Sequence, residues 1–193
     1  MYLNMNGSLE VICGCMSSGK SEELIRRLRR ATIAKQKVIV FKPGIDVRSD
    51  ETKIQSRNGV LYEAIAINDI NDINQHLKND IKVIAFDEVQ FFQSELIEAI
   101  RDLVASGRRI IAAGLDTDFR GNSFGIIAQL LAEADKVTKL DAVCMQCGGR
   151  ATRTQRFLNG SPAPFDAPQI VVGGDEMYEA RCRNCHEVPN ISN

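Results

Sequence analysis

Apolar positions follow two alternating rhythms over the first two-thirds of the chain. Continuous, largely β-branched runs at residues 9–13, 38–41, 82–86 and 109–113 predict short strands buried on both faces. After Lys20, the positions Leu24, Ile25, Leu28 and Ala31 recur at helical spacing, with Glu22 and Glu23 in the first turn, where the helix dipole favours acids. Residues 71–78, 94–105 and 123–134 also read as helical. Such alternation predicts an α/β fold, an open and mostly parallel sheet flanked by helices. Ligands of such sheets sit at the C-terminal ends of the strands, so the chemistry is sought there.

The rhythm stops near residue 140. Cysteine-containing turns at 144–149 and 181–186 then bracket a loop-like stretch, 158–174, that holds three of the five prolines (Pro162, Pro164, Pro168). This divides the 193 residues into a nucleotide-binding α/β domain, 1–140, and a compact second module, 141–193. The hydrophobic fraction of 44% and charged fraction of 25% fit a globular chain and exclude a disordered or fibrous one. A formal net charge of −1 argues against a protein that wraps nucleic acid by neutralising phosphates, so no nucleic-acid partner is expected. No run approaches the roughly 20 apolar residues of a membrane helix, so no membrane partner is expected either. Residues 1–8 are short and polar, unlike a secretory leader; the expected location is the cytoplasm, a reducing compartment where six cysteines point to metal before disulfides.

Gly14-Cys15-Met16-Ser17-Ser18-Gly19-Lys20-Ser21 matches G-x4-G-K-[ST] between a predicted strand and a predicted helix. Glycines let the backbone curl so that successive N–H groups face phosphate oxygens, and the helix N-terminus adds partial positive charge. Lys20 is expected to reach the β- and γ-phosphates of ATP, and the Ser21 hydroxyl to bind Mg²⁺. A chance match on a glycine turn is the bland alternative. The run of residues 81–86 ends in Asp87-Glu88, followed by Val89 and Gln90. Asp87 is placed to hold Mg²⁺ through water. Glu88 can accept a proton from water or from a substrate hydroxyl, which leaves ATPase and kinase both open at this point.

Cys144-x2-Cys147 and Cys182-x2-Cys185 lie 34 residues apart and can complete a closed tetrahedral Zn²⁺ site, structural because it has no open position. Two disulfides or free thiols are the alternatives, and His186 is an alternative ligand to Cys185. Cys13 and Cys15 read as small packing residues, with Cys15 in an exposed loop; His76 reads as a surface residue. Arg26, Arg27, Arg29 and Arg30 spread around the whole helix and read as a solvated face or a subunit contact.

The order of motifs resembles one known family. A P-loop with Met at its third position is followed by Phe86-Asp87-Glu88-Val89-Gln90-Phe91-Phe92, by Gly114-Leu115-Asp116-Thr117-Asp118-Phe119, and by two CxxC pairs flanking a loop. Over nearly the whole chain this is similar to the cytosolic, zinc-containing thymidine kinases. The resemblance implies a RecA-like P-loop domain, a small zinc-bound lasso domain acting as lid, a homotetramer, and transfer of the ATP γ-phosphate to the 5′-hydroxyl of thymidine. It implies Glu88 as the catalytic base, and the P-loop residues together with 87–90 as the ATP and Mg²⁺ site. Met16, Phe91, Leu115, Phe119, Thr154, Arg156, Val171, Gly173 and Tyr178 are implied as the thymidine site, with Asp46 and Arg48 near the phosphates. The family commonly has Tyr and His where this chain has Ser49 and Arg57, a departure that weakens the match over the 46–57 loop and leaves the catalytic set untouched. Phe92 is expected to be core.

Overall fold

A computed structural model describes residues 7–44, 53–55, 61–170 and 177–190. The first half contains β1 (Ser8–Gly14), α1 (Lys20–Ile33), β2 (Lys37–Pro43), β3 (Lys53–Gln55), β4 (Leu61–Glu63), β5 (Ile65–Ile67) and α2 (Asp72–His76). It continues through β6 (Ile81–Phe86), α3 (Glu95–Ala105), β7 (Arg109–Leu115), α4 (Ile127–Glu133) and β8 (Lys136–Leu140). The remainder is β9 (Ala142–Val143), β10 (Arg150–Ala151), β11 (Arg153–Leu158), β12 (Ser161–Pro162) and β13 (Met177–Arg181).

Six strands form one sheet in the order β5-β2-β6-β7-β1-β8, and every pairing within it is parallel. The buried strands alternate faces with period two. Leu9, Val11 and Cys13 of β1, Ile84 and Phe86 of β6, and Ile110 and Ala112 of β7 meet α3 and α4 through Leu96, Ile100, Ile127 and Leu130. The opposite residues Ile12, Val83, Ala85, Ile111 and Ala113 meet α1 through Leu24, Leu28 and Ala31. Phe92 packs against the first of these cores, edge-on to Phe86 at 5.9 Å, as expected for a core ring. Because β6, β7 and β1 are adjacent, their C-terminal loops lie side by side.

Two strands escape the apolar-run criterion. β8 reads Lys-Val-Thr-Lys-Leu because it is an edge strand, paired only to β1 and largely open to solvent. β5 has three residues on the other edge. Helix α4 begins four residues later than the periodicity suggests, because residues 117–124 fold back on the end of β7: Asp118 N–H donates to Asn122 O and Phe124 N–H to Asp116 O. The stretch 158–174 is also less loop-like at its start. Asn159 and Gly160, both at positive φ (50° and 79°), make the tight turn of a hairpin joining β11 to β12.

Arg27 departs from the expected solvated face. It is 4% exposed and donates to Glu10, Glu23 and Thr138, tying α1 to β1 and β8, while Arg26, Arg29 and Arg30 remain exposed. Arg109 reaches the other oxygen of Glu10. Burial raises the Glu10 carboxyl, but the Arg109 and Arg27 guanidinium groups outweigh it and hold the group below its ordinary value. Glu23, hydrogen-bonded by Arg26 and then Arg27, is lowered to about 2.

Both carboxylates release protons more readily folded than unfolded, so their contribution is complete above pH 4.5 and lost as pH falls toward about 2. Denaturant unfolding followed from pH 7 to pH 2 is expected to show falling stability over that window. Glu10→Gln should cost about 3 kcal/mol at pH 7, since Arg27 is left buried with a partner missing, and should flatten the acid decline.

Candidate functional site

The loop from Gly14 to Lys20 leaves β1 and enters α1 under tight backbone constraints. A Cβ on Gly14 would stand 2.4 Å from the Leu140 carbonyl oxygen of β8, so only glycine lets β1 end beside β8 before turning. Gly19 caps α1 in the left-handed region at φ 85°, and Ser17 is also at positive φ. The Ser18 hydroxyl is buried with no hydrogen-bond partner among the described residues, an orphan oxygen inside the loop. Lys20 is buried, its Nζ donating to Cys15 O at 2.8 Å. A loop offering an orphan hydroxyl, a buried ammonium and a helix N-terminus fits a phosphate chain.

Contrary to its expected exposure, Cys15 is fully buried. Its side chain packs with Cys144, Ala151 and Ala180, its thiol donates to Ala151 O, and burial pushes it up. Burial likewise raises Cys13, to about 11; both are packing residues, as read. The Met16 N–H donates to Thr154 Oγ1 at 3.0 Å. This backbone donor, expected to face phosphate, is therefore directed at β11 instead.

At the end of β6, Asp87 is 5% exposed and anchored by its N–H to Phe41 O. Glu88 follows in the left-handed region (φ 49°, ψ 43°), half-buried, and accepts a 2.6 Å hydrogen bond from Gln90 Nε2. The turn Val89–Phe91 then carries the chain to Phe91, which stands edge-on to Phe124 at 5.4 Å.

Phe91 is one wall of a cleft of about 420 Å³, its mouth included. Met16, Leu115, Phe119, Thr154 and Tyr178 also line it, so six of the nine residues expected at the nucleoside lie on one cavity. Thr117, Asp118, Phe124, Gln169 and Ile170 complete its walls, and none of them was expected there from the sequence. Phe124 carried no motif signal, although its place nine residues past β7 on the returning loop explains its position. Arg156 is not on that wall. It is 1% exposed behind Phe119, its guanidinium 5.2 Å from the ring centroid, and it donates to Pro168 O. Val171, Gly173, Asp46 and Arg48 lie outside the described residues, as do Ser49 and Arg57.

The roof of the cleft is tied down by polar contacts. Arg120 donates to the carbonyls of Phe165 and Ala167 and to Asp118, with its guanidinium 4.4 Å over Phe119 and 5.6 Å from Phe165. Gln169 Nε2 donates to Asp118 at 3.0 Å. His186 turns toward Phe119 O at 2.8 Å rather than toward the cysteines, and burial lowers it.

The four cysteines converge. The sulfurs of Cys144, Cys147, Cys182 and Cys185 all lie within 4.8 Å of one another, and Cys147 Sγ stands 3.7 Å from Cys182 Sγ. That exceeds a bonded S–S distance and equals the edge, about 3.8 Å, of a tetrahedron with Zn–S near 2.3 Å. Burial opposes ionisation of Cys144, yet backbone hydrogen bonds around Cys182, Cys147 and Gln146 lower it to about 6. The Cys182 side chain, then that of Cys147, raises Cys185 to about 12. The cluster can hold a zinc ion.

The fold is a parallel α/β sheet with a glycine-rich strand–loop–helix turn after β1, a carboxylate pair at the end of β6 two strands away, and a four-thiol cluster that can hold zinc. The chain belongs to the thymidine kinase family: the family model described as "Thymidine kinase" matches residues 7–186. Among solved structures, a DNA replication initiation factor is similar with a TM-score of 0.41 and 14% identity; the match covers 69% of this chain and 40% of that one.

Metal analysis of the purified protein is expected to give one zinc per chain. Cys182→Ser should abolish stoichiometric zinc and make residues 142–188 sensitive to protease; full zinc retention in that variant would contradict a four-thiolate site.

Proposed function

We propose that this protein is a thymidine kinase that transfers the γ-phosphate of ATP to the 5′-hydroxyl of thymidine, giving ADP and dTMP. The observation that carries the reading is the family match across residues 7–186, together with the position of Glu88 on the turn that links Asp87 to the aromatic cleft. In this reading the loop from Gly14 to Ser21 cradles the phosphates, and Lys20 swings from Cys15 O to the β- and γ-oxygens. Asp87 and Ser21 hold Mg²⁺, which supplies charge neutralisation on the phosphate oxygens when bound. Glu88, as catalytic base, accepts the 5′-hydroxyl proton as that oxygen forms its bond to phosphorus and the bond to the ADP oxygen breaks.

Thymine lies between Phe91 and Phe119, with Met16, Leu115, Thr154 and Tyr178 around it. Val171 and Gly173 contribute from the segment beyond Ile170, and Arg156 acts from behind Phe119. We assign residues 1–140 to the nucleotide domain and 141–193 to the zinc-held lasso that excludes water, without which ATP would be hydrolysed unproductively. Zinc is structural. The cytoplasm, a homotetramer, and the absence of nucleic-acid and membrane partners belong to the same reading and come from the resemblance and the composition.

The test is ADP formation with Mg-ATP and each nucleoside in turn. Thymidine should stimulate ADP release and yield dTMP, and Glu88→Gln should lower turnover about 100-fold or more while ATP still binds. ADP that accumulates regardless of nucleoside and rises with DNA would instead identify a nucleic-acid-dependent ATPase.

A further inference from the structure

Gln90 is 3% exposed and makes two directed contacts with opposite ends of its amide. Its Nε2 donates to Glu88 Oε2 at 2.6 Å, and its Oε1 accepts from the Leu115 N–H at 3.0 Å. A primary amide has one oxygen and one nitrogen, so the backbone donor at Leu115 decides that the N–H end faces Glu88. Room for the side-chain amide is cleared by one glycine, and room for the Gln90 backbone by another. A Cβ on Gly114 would stand 2.5 Å from Gln90 Oε1, and one on Gly125, itself at φ 54°, would stand 2.2 Å from Gln90 O. The amide is thus held by the end of β7, independent of the turn that carries Glu88, while the loop before α4 packs against the Gln90 backbone.

We propose that Gln90 is a positioning residue for the base rather than a contact to ATP. Its N–H fixes the Glu88 carboxylate by Oε2 and presents Oε1 to the hydroxyl that is to be deprotonated. Leu115 lines the nucleoside cleft, so the chain Leu115 N–H, Gln90 amide, Glu88 carboxylate ties the orientation of the base to the wall of the cleft. A residue that aligns a proton acceptor acts on the chemical step and leaves substrate affinity in place. The inference rests on Glu88 being the base.

The test is a double-mutant cycle on the full chain with steady-state kinetics for ATP and thymidine. Gln90→Met removes both contacts. Gln90→Glu keeps an acceptor for the Leu115 N–H, removes the donor to Glu88, and serves as the second variant if Gln90→Met fails to fold. In folded variants kcat is expected to fall about tenfold or more with both KM values held within about threefold, the size expected for a lost hydrogen bond to a charged group. In a Glu88→Gln background the same changes should have less than about a threefold effect, because the base they orient is gone. A fall under about threefold in the otherwise unaltered chain, or an equal fall in both backgrounds, overturns the positioning role while leaving Glu88 as the base. Full activity of Glu88→Gln alone removes the base, and the proposal with it.

Discussion

The structure depends on a loop that is gripped from both sides. Below, Gly14 passes so close to the Leu140 carbonyl that no side chain fits, which fixes where β1 releases the chain. Above, Cys15 is buried among Cys144, Ala151 and Ala180, and the Met16 N–H is bonded to Thr154. The Gly14–Lys20 loop is therefore packed against the cysteine module. Anything that loosens the four-thiol cluster also loosens the packing of Cys15 and β11, and so reaches the Gly14–Lys20 loop through two contacts.

The aromatic cleft is built on the same junction. Met16 belongs both to the loop and to the cleft wall, so one residue links the glycine-rich turn to the aromatic cleft. The aromatic rings supply flat apolar surfaces, while Arg120, Arg156 and Gln169 fasten the overlying segment by its carbonyls and by Asp118. Arginine is suited to this, since one planar group can bond carbonyls at its edge and stack on rings with its face. Arg156, expected from the resemblance at the nucleoside, has a visible structural role behind Phe119.

Four of the six sheet strands, the helix after Lys20 and the two chemical motifs were legible in the sequence because each is a local pattern. Runs such as Val-Ile-Ala-Phe declare a strand buried on both faces, and a CxxC pair declares its own geometry. What was not legible was set by distant partners. Nothing near Arg27 reveals that Glu10, seventeen residues earlier, stands behind it, or that Cys15 would be covered by strands more than 130 residues away. β8 carries two lysines because an edge strand has solvent on its sides, and so it failed a test designed for central strands. The Asn159–Gly160 turn is different in kind: the signal was present in two letters and was obscured by the prolines that follow it.

The account turns on one spatial claim, that the base, the phosphate loop and the aromatic cleft serve a single transfer. A crystal structure of the zinc-loaded protein with thymidine and a non-hydrolysable ATP analogue tests it most directly. The account predicts the thymine ring between Phe91 and Phe119, the γ-phosphate in the loop of Gly14 to Ser21, and the 5′-oxygen within about 3.2 Å of a Glu88 carboxylate oxygen. A nucleoside bound elsewhere, or a 5′-oxygen out of reach of Glu88 in the closed complex, would contradict it.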